Sequence, residues 1–221
     1  MKIVSWVDPF TNESLEETDT HLIHNDIKYP IINGVPKFVK ENSDDPQYDI
    51  EKCFSYQWTE SNFGQPEKFS DDDIKKDVIE TMDLTDDDLS LFNDKIVLDV
   101  GVGSGASSRL WAPRAKEFHG VDIGNGVYRA KNTLSNSVEN PILSHSDLHH
   151  LPYPDESFDV IVSKGVLHHT PSTKNALKSV YPKLKKGGLI IFYIYKVKTP
   201  LREFSDDYIR NLISKMSPDE A

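Results

Sequence analysis

A single cysteine, Cys53, in 221 residues excludes an intramolecular disulfide. No apolar run approaches the length of a membrane span, and the start, Met1 to Asp8, lacks the apolar centre of a signal peptide. Cytoplasmic residence is the expectation. Basic residues are scarce in the front part: residues 1–94 hold 23 acids and 8 bases, a balance of −15, whereas residues 95–221 hold 13 acids and 17 bases, a balance of +4. A front so acidic argues against nucleic acid as the main partner, because phosphate contacts need a basic face. Wholesale disorder is also excluded, since 37% hydrophobic and 10% aromatic residues suffice for a core. The length allows one domain of ordinary size and a small extra module.

What is present is organised around Ile96-Val97-Leu98-Asp99-Val100-Gly101-Val102-Gly103-Ser104-Gly105. Its β-branched half suits a strand covered on both faces, and its glycines suit a turn that brings backbone close to a ligand. The spacing is not that of a dinucleotide fingerprint, whose third glycine falls three residues after the second, and no Lys-Ser/Thr pair follows as in a phosphate loop. From Asp94 onward strand and helix patterns alternate, which predicts a doubly wound α/β fold with a parallel sheet. Strands are expected at Ile96 to Val100, Glu117 to Asp122, Ile142 to His145, Phe158 to Ser163 and Leu189 to Tyr195. Helices are expected at Ala106 to Trp111, Val127 to Ser135 and Ser172 to Leu184, with Pro113 stopping the first and Lys185-Lys186-Gly187-Gly188 closing the last.

The stretch Val97 to Gly105 resembles the first motif of the class I S-adenosylmethionine-dependent methyltransferases. Further motifs follow in order: Gly120-Val121-Asp122-Ile123, then Ser144-His145-Ser146-Asp147-Leu148 ahead of Leu151 to Ile161, then Ser163 to His169 and Leu184 to Leu189. The set is most similar to the ubiquinone and menaquinone biosynthesis branch, which implies a Rossmann-like sheet of order 3-2-1-4-5, S-adenosylmethionine as cofactor and a small-molecule acceptor. Two further strands that complete the family's sheet have no visible counterpart after Tyr195. The expectation is therefore either a core shortened at its C-terminal end or a sheet edge that is reduced or completed by a partner, with 201–215 reading as a helix.

The resemblance also implies roles. Backbone at Gly101, Gly103 and Gly105 would cradle the ribose and methionine parts, and Asp99 would accept from the ammonium group. Asp122 and Ile123 would meet the ribose side, Asp147 and Leu148 the adenine edge, and Ser163 and Lys164 the transferring methyl. Val100, Ile123 and Val166 would be apolar walls. His168 and His169 are candidate general bases, because an unperturbed imidazole titrates at about 6.5; Tyr193 and Tyr195 are further candidates.

The front divides into residues 1–40 and 41–93. Tyr29 to Val39 carries two apolar runs around Asn33-Gly34, a hairpin signal. This piece resembles the end of a zinc ribbon that precedes some bacterial methyltransferase domains, but Asp8-Pro9-Phe10-Thr11 stands where a cysteine knuckle would fall. His21 and His24 without thiolates make a poor zinc site, so a metal-free module is expected. Residues 41–93 hold an aromatic stretch (Tyr48, Phe54, Tyr56, Trp58, Phe63, Phe69) suited to a lid. Two lead-in helices follow, one capped by Ser70 with Ile74, Val78, Ile79 and Met82 on one face, the other over Asp86 to Phe92. Two other functions stay open: an RNA methyltransferase, suggested by the ribbon-like front, and a non-catalytic cofactor-binding or interaction protein, suggested by the reduced sheet edge.

Overall fold

A computed structural model describes residues 3–39, 52, 55, 70–85 and 87–195. The aromatic stretch, apart from Ser55 and Lys52, and the expected helix over 201–215 lie outside the described residues. Four short strands open the chain: β1 (Glu16–Glu17), β2 (His21–His24), β3 (Ile27–Ile32) and β4 (Val35–Pro36), paired antiparallel in that order. The β3–β4 turn is made by Asn33 and Gly34 at φ 50° and 73°, the left-handed pair that a two-residue hairpin requires. Helix α1 (Asp71–Met82) starts in a capping box between Ser70 and Asp73 and buries Ile74, Val78 and Met82.

The central sheet contains β5 (Ile96–Val100), β6 (Glu117–Asp122), β7 (Ile142–His145), β8 (Phe158–Lys164) and β9 (Leu184–Tyr193), all parallel, in the order β7-β6-β5-β8-β9. This is the expected 3-2-1-4-5 order. Every residue of β5 and β6 is buried. Alternation along β5 sends Ile96, Leu98 and Val100 to one core and Val97 to the other. Helices α1 and α2 (Gly126–Ser135) with Val35 of β4 cover the face of Val97, whereas α3 (Thr173–Val180) with Leu22 of β2 and Tyr29 of β3 covers the face of Leu98. Each fully buried Leu, Ile or Phe contributes about 1.5–3 kcal/mol by leaving water.

The N-terminal strands pack directly on this sheet. Phe38 N–H donates to the His145 carbonyl and Lys37 bridges His145 in parallel, so the segment after β4 shields the β7 edge. Trp6 stacks on Tyr153 at 5.2 Å, and Tyr153 meets His119 and Phe158 edge-on. The Glu117 carboxylate accepts from the backbone N–H of Ile3 and Val4 and pairs with His119 Nε2. Burial works to raise the Glu117 carboxyl and is outweighed by those three hydrogen bonds, so it titrates below its ordinary value of 4.5. Its stabilising contribution is present above about pH 4.5 and is lost as pH falls through the lowered value. Glu117→Ala, which strands His119 and two N–H groups, is expected to cost about 3 kcal/mol at pH 7. Urea denaturation should show that difference shrinking toward pH 3.

Among the described residues no cluster of His, Cys, Asp and Glu is arranged to hold a metal ion. His24 pairs with Glu13 at 2.5 Å, and His21 meets the Thr20 hydroxyl at 2.9 Å.

Four expected elements differ. Ala106 to Trp111 forms no α-helix but two 3-10 turns, Ser107–Leu110 and Ala112–Arg114. Pro113 cannot donate to a continuing helix, and Ser108 spends its hydroxyl on Asp99 at 2.6 Å. The second expected lead-in helix is likewise a 3-10 turn in its described part, Asp87–Phe92. The helix expected to reach Leu184 ends at Val180, because Pro182 follows, and β9 begins at Leu184 rather than Leu189. The Lys185 to Gly188 run is thus strand, not a helix stop. Lys183, Lys185 and Lys186 pair with Asp155, Asp159 and Glu156 across the turn before β8, and Gly188 lies where a Cβ would sit 2.9 Å from the Asp159 carbonyl.

Candidate active site

After β5 the chain passes to β6 and β7 on one side, then returns to place β8 on the other side. The carboxyl ends of β5 and β8 therefore diverge at the point where open α/β sheets bind ligands. The loop after β5 is drawn over this end by two bonds to one acceptor, the Val121 carbonyl, from the N–H groups of Gly101 at 2.8 Å and Val102 at 3.0 Å. Gly101 sits at φ +82°, and a Cβ there would lie 2.1 Å from Val166 Cγ2. Only glycine meets both demands.

Two clefts flank the loop. The larger, about 640 Å³ of open space, has apolar walls from Val100, Ile123, Leu148 and Val166, with Asp122 and Asp147 as its acids. The smaller, about 450 Å³, lies against Asp99, Gly103, Ser104, Ser108 and Trp111. Gly101 and Lys164 line both and mark their junction.

Asp122 is the organising acid. Its Oδ2 accepts from Gly103 N–H at 2.7 Å and its Oδ1 from Gly124 N–H at 2.8 Å, so one side chain fixes both the glycine loop and the turn into α2. Burial pushes the Asp122 carboxyl up to about 6 against those backbone bonds. Burial likewise raises Asp99 to about 7, opposed by the Ser108 and Trp111 side chains and reinforced by the charge of Asp122. His145 braces the same turn: its Nε2 lies 2.7 Å from the Ile123 carbonyl and its Nδ1 3.1 Å from the Tyr128 hydroxyl. Burial lowers its imidazole to about 4, so it stands neutral and accepts from Tyr128 while donating to Ile123.

Of the residues singled out in the sequence, Gly101, Asp122, Ile123, Asp147, Leu148, Lys164 and His169 meet at the larger cleft, and Asp99 and Gly103 at the smaller. Asp147 uses Oδ1 to accept from His149 N–H at 3.0 Å, which fixes the loop after β7. Gly105 lines neither cleft; a Cβ there would press on Ala130 and Leu134 of α2 at 3.1–3.3 Å. Ser163 is fully buried and turns its hydroxyl to the Val100 carbonyl at 3.2 Å, bracing β8 against β5 rather than facing a cleft. The His168 ring lies against those of His169 and Tyr195, tilted 42° and 43° to them, with 4.1 Å between ring centroids in each pair. Neither ring nitrogen of His168 has a hydrogen-bond partner among the described residues. Burial lowers both imidazoles, and the neighbouring ring lowers His169 further. Tyr193 and Tyr195 lie 5.8 Å apart beside them.

Several contributors gave no sequence signal. Ser55 accepts from Asn125 N–H at 2.8 Å and so buttresses the Asp122 turn from a segment readable only as aromatic-rich. Asp77, on α1, pairs with Lys164 at 2.6 Å across 87 positions. Thr170 and Gly165 complete the larger cleft.

Residues 98–192 match the protein family described as a methyltransferase domain. Similar curated proteins include the uncharacterized methyltransferase YcgJ of Bacillus subtilis, 28% identical over 118 residues, covering 52% of this chain and 46% of that protein. The ubiquinone/menaquinone biosynthesis C-methyltransferase UbiE of Vibrio vulnificus is 32% identical over 128 residues, covering 54% and 49%. The chain spans half or less of the length of these relatives. Among solved structures, the N-methyltransferase NodS of Bradyrhizobium japonicum in complex with S-adenosyl-L-homocysteine shares the fold, with a TM-score of 0.52 at 19% identity over 64% of this chain and 71% of that one. The stretch that carries the glycine loop and both clefts lies within residues 98–192 and is thus the part of this chain that is similar to methyltransferase domains.

Proposed function

We propose that this chain transfers a methyl group from S-adenosylmethionine to a small-molecule acceptor. The observation that carries the reading is the meeting of two clefts at Gly101, one edged by the buried Asp122 and the other by Asp99. The residues fit the cofactor. A Cβ-free backbone lies between the clefts, a carboxylate stands at the strand end for a ribose diol, and apolar walls suit an adenine ring. When bound, the cofactor supplies an electrophilic methyl on a sulfonium and its own leaving group.

The protein's task is then to bind, align and exclude water. Asp122, already held by Gly103 and Gly124, keeps acceptor capacity on both oxygens for ribose hydroxyls. Asp147 and the backbone at Leu148 would meet the adenine edge, with Val100, Ile123 and Val166 as apolar walls of the same cleft. Asp99, aligned by Ser108, would accept from the amino-acid end in the smaller cleft. His169 borders the larger cleft in neutral form and can take a proton from an oxygen or nitrogen acceptor as the methyl arrives. His169→Ala is expected to lower kcat by about a hundredfold, with a much smaller change in cofactor affinity from the lost wall of the cleft. Product formation with a panel of small oxygen, nitrogen and carbon acceptors checks both points, and an unchanged kcat would remove His169 from the chemistry.

The acidic front supports a small molecule over RNA. Among the described residues no helix is long and apolar enough to cross a membrane. We place the reaction in the cytoplasm, in keeping with the lone cysteine.

A further inference from the structure

Lys164 ends β8 at the junction of the two clefts, and its side chain is one-fifth exposed. Its ammonium is engaged by Asp77 Oδ2 at 2.6 Å. Asp77 belongs to α1, whose Ile74, Val78 and Met82 lock the helix onto the core, so the carboxylate is presented from a fixed support. Asp99, which also lines the smaller cleft, is a second described acid that interacts electrostatically with Lys164. Burial raises Asp99 to about 7, so near neutrality it carries only part of a charge, whereas Asp77 makes direct contact with the ammonium at 2.6 Å.

The atom that joins the adenosine and amino-acid parts of the cofactor is sulfur, and a ligand occupying both clefts carries that atom past their junction. In S-adenosylmethionine this sulfur is a cation; in the demethylated product it is neutral. An uncompensated ammonium at the junction repels the first and is indifferent to the second. We infer that Asp77, by neutralising Lys164, sets the preference of the site for the sulfonium substrate over its demethylated product. Asp77 is thus a positioning and charge-compensating residue, and its pairing limits product inhibition. The inference rests on the cofactor reading above.

The test is calorimetric titration of S-adenosylmethionine and S-adenosylhomocysteine, at pH 7.5 and low salt, into the unsubstituted chain, Asp77→Asn, Lys164→Met and the double variant. Asp77→Asn is expected to raise the ratio of substrate Kd to product Kd about three- to tenfold, the scale of one partly screened unit charge. Lys164→Met should abolish that effect, so that adding Asp77→Asn to it changes nothing. Because the ratio is internal to each protein, a loss of folded fraction weakens both ligands alike and cancels. An unchanged ratio in Asp77→Asn, or a change that persists without Lys164, overturns the inference while the cofactor reading stands. Failure of the unsubstituted, folded chain to bind either ligand overturns the cofactor reading and this inference with it.

Discussion

Gly101→Ala is expected to abolish cofactor binding and to lower folding stability by about 3 kcal/mol or more. Two costs combine. The added Cβ would lie 2.1 Å from Val166 Cγ2 and 2.9 Å from Cγ1, an overlap that only movement of the loop or of β8's exit can relieve; overpacking of this kind costs about 1–3 kcal/mol. The φ of +82° adds about 1–2 kcal/mol for any residue that carries a Cβ. For a chain of this length the sum shifts Tm by about 6–12 °C. Val166→Ala in the same chain removes both offending methyls but leaves the backbone cost, so the double variant should recover about half the lost stability. Thermal melts of the two variants check this, and equal melting of Gly101→Ala and the parent would show that the loop is not held against Val166.

Asp122→Ala is expected to separate binding from stability. Affinity for S-adenosylmethionine should fall about a hundredfold, the loss of two hydrogen bonds to a charged group at about 1.5 kcal/mol each. Stability should change by no more than about 1 kcal/mol, because opposite effects meet at this position. The variant orphans the N–H groups of Gly103 and Gly124, but it also removes a carboxylate whose charged form burial disfavours. The sign can be read from pH. With the folded-state carboxyl raised from 3.8 to about 6, the parent binds an extra proton when folded, and Asp122's contribution to stability falls as pH rises through that interval. Cofactor affinity runs the other way, holding above about pH 6 and declining below it as the acceptor oxygens become protonated. Calorimetry beside urea denaturation measures both. A collapse of stability equal to the loss of affinity would mark Asp122 as scaffold alone.

How much of this was legible in the sequence depends on how local the cause was. β5 and its glycine turn were readable because β-branched residues and three glycines act within ten positions. The Asn33-Gly34 hairpin was readable for the same reason. The strand order came with the family resemblance. Lys185 and Lys186 misled because cations before two glycines also describe a helix end, and only the fold brings Asp159 and Glu156 opposite them. Ala106 to Trp111 has helix-compatible composition, and what opposes a helix is Pro113 together with the pull of Asp99 on Ser108. The site followed the same rule. Asp122 could be named from its place at a strand end, but the bracing of its turn by Ser55 and His145, and of Lys164 by Asp77, joins residues far apart in the chain. Ser163 shows the limit within one strand: it stands next to Lys164, yet the alternation of β8 turns it to the Val100 carbonyl.

The most direct test of the account is titration of S-adenosylmethionine into the unsubstituted chain at pH 7.5, with NADH as the comparison ligand. The cleft pair at Gly101, the acid at Asp122 and the glycine spacing together predict micromolar binding of S-adenosylmethionine, one molecule per chain, and no binding of NADH. A folded sample that takes up NADH, or that leaves S-adenosylmethionine unbound, would contradict it.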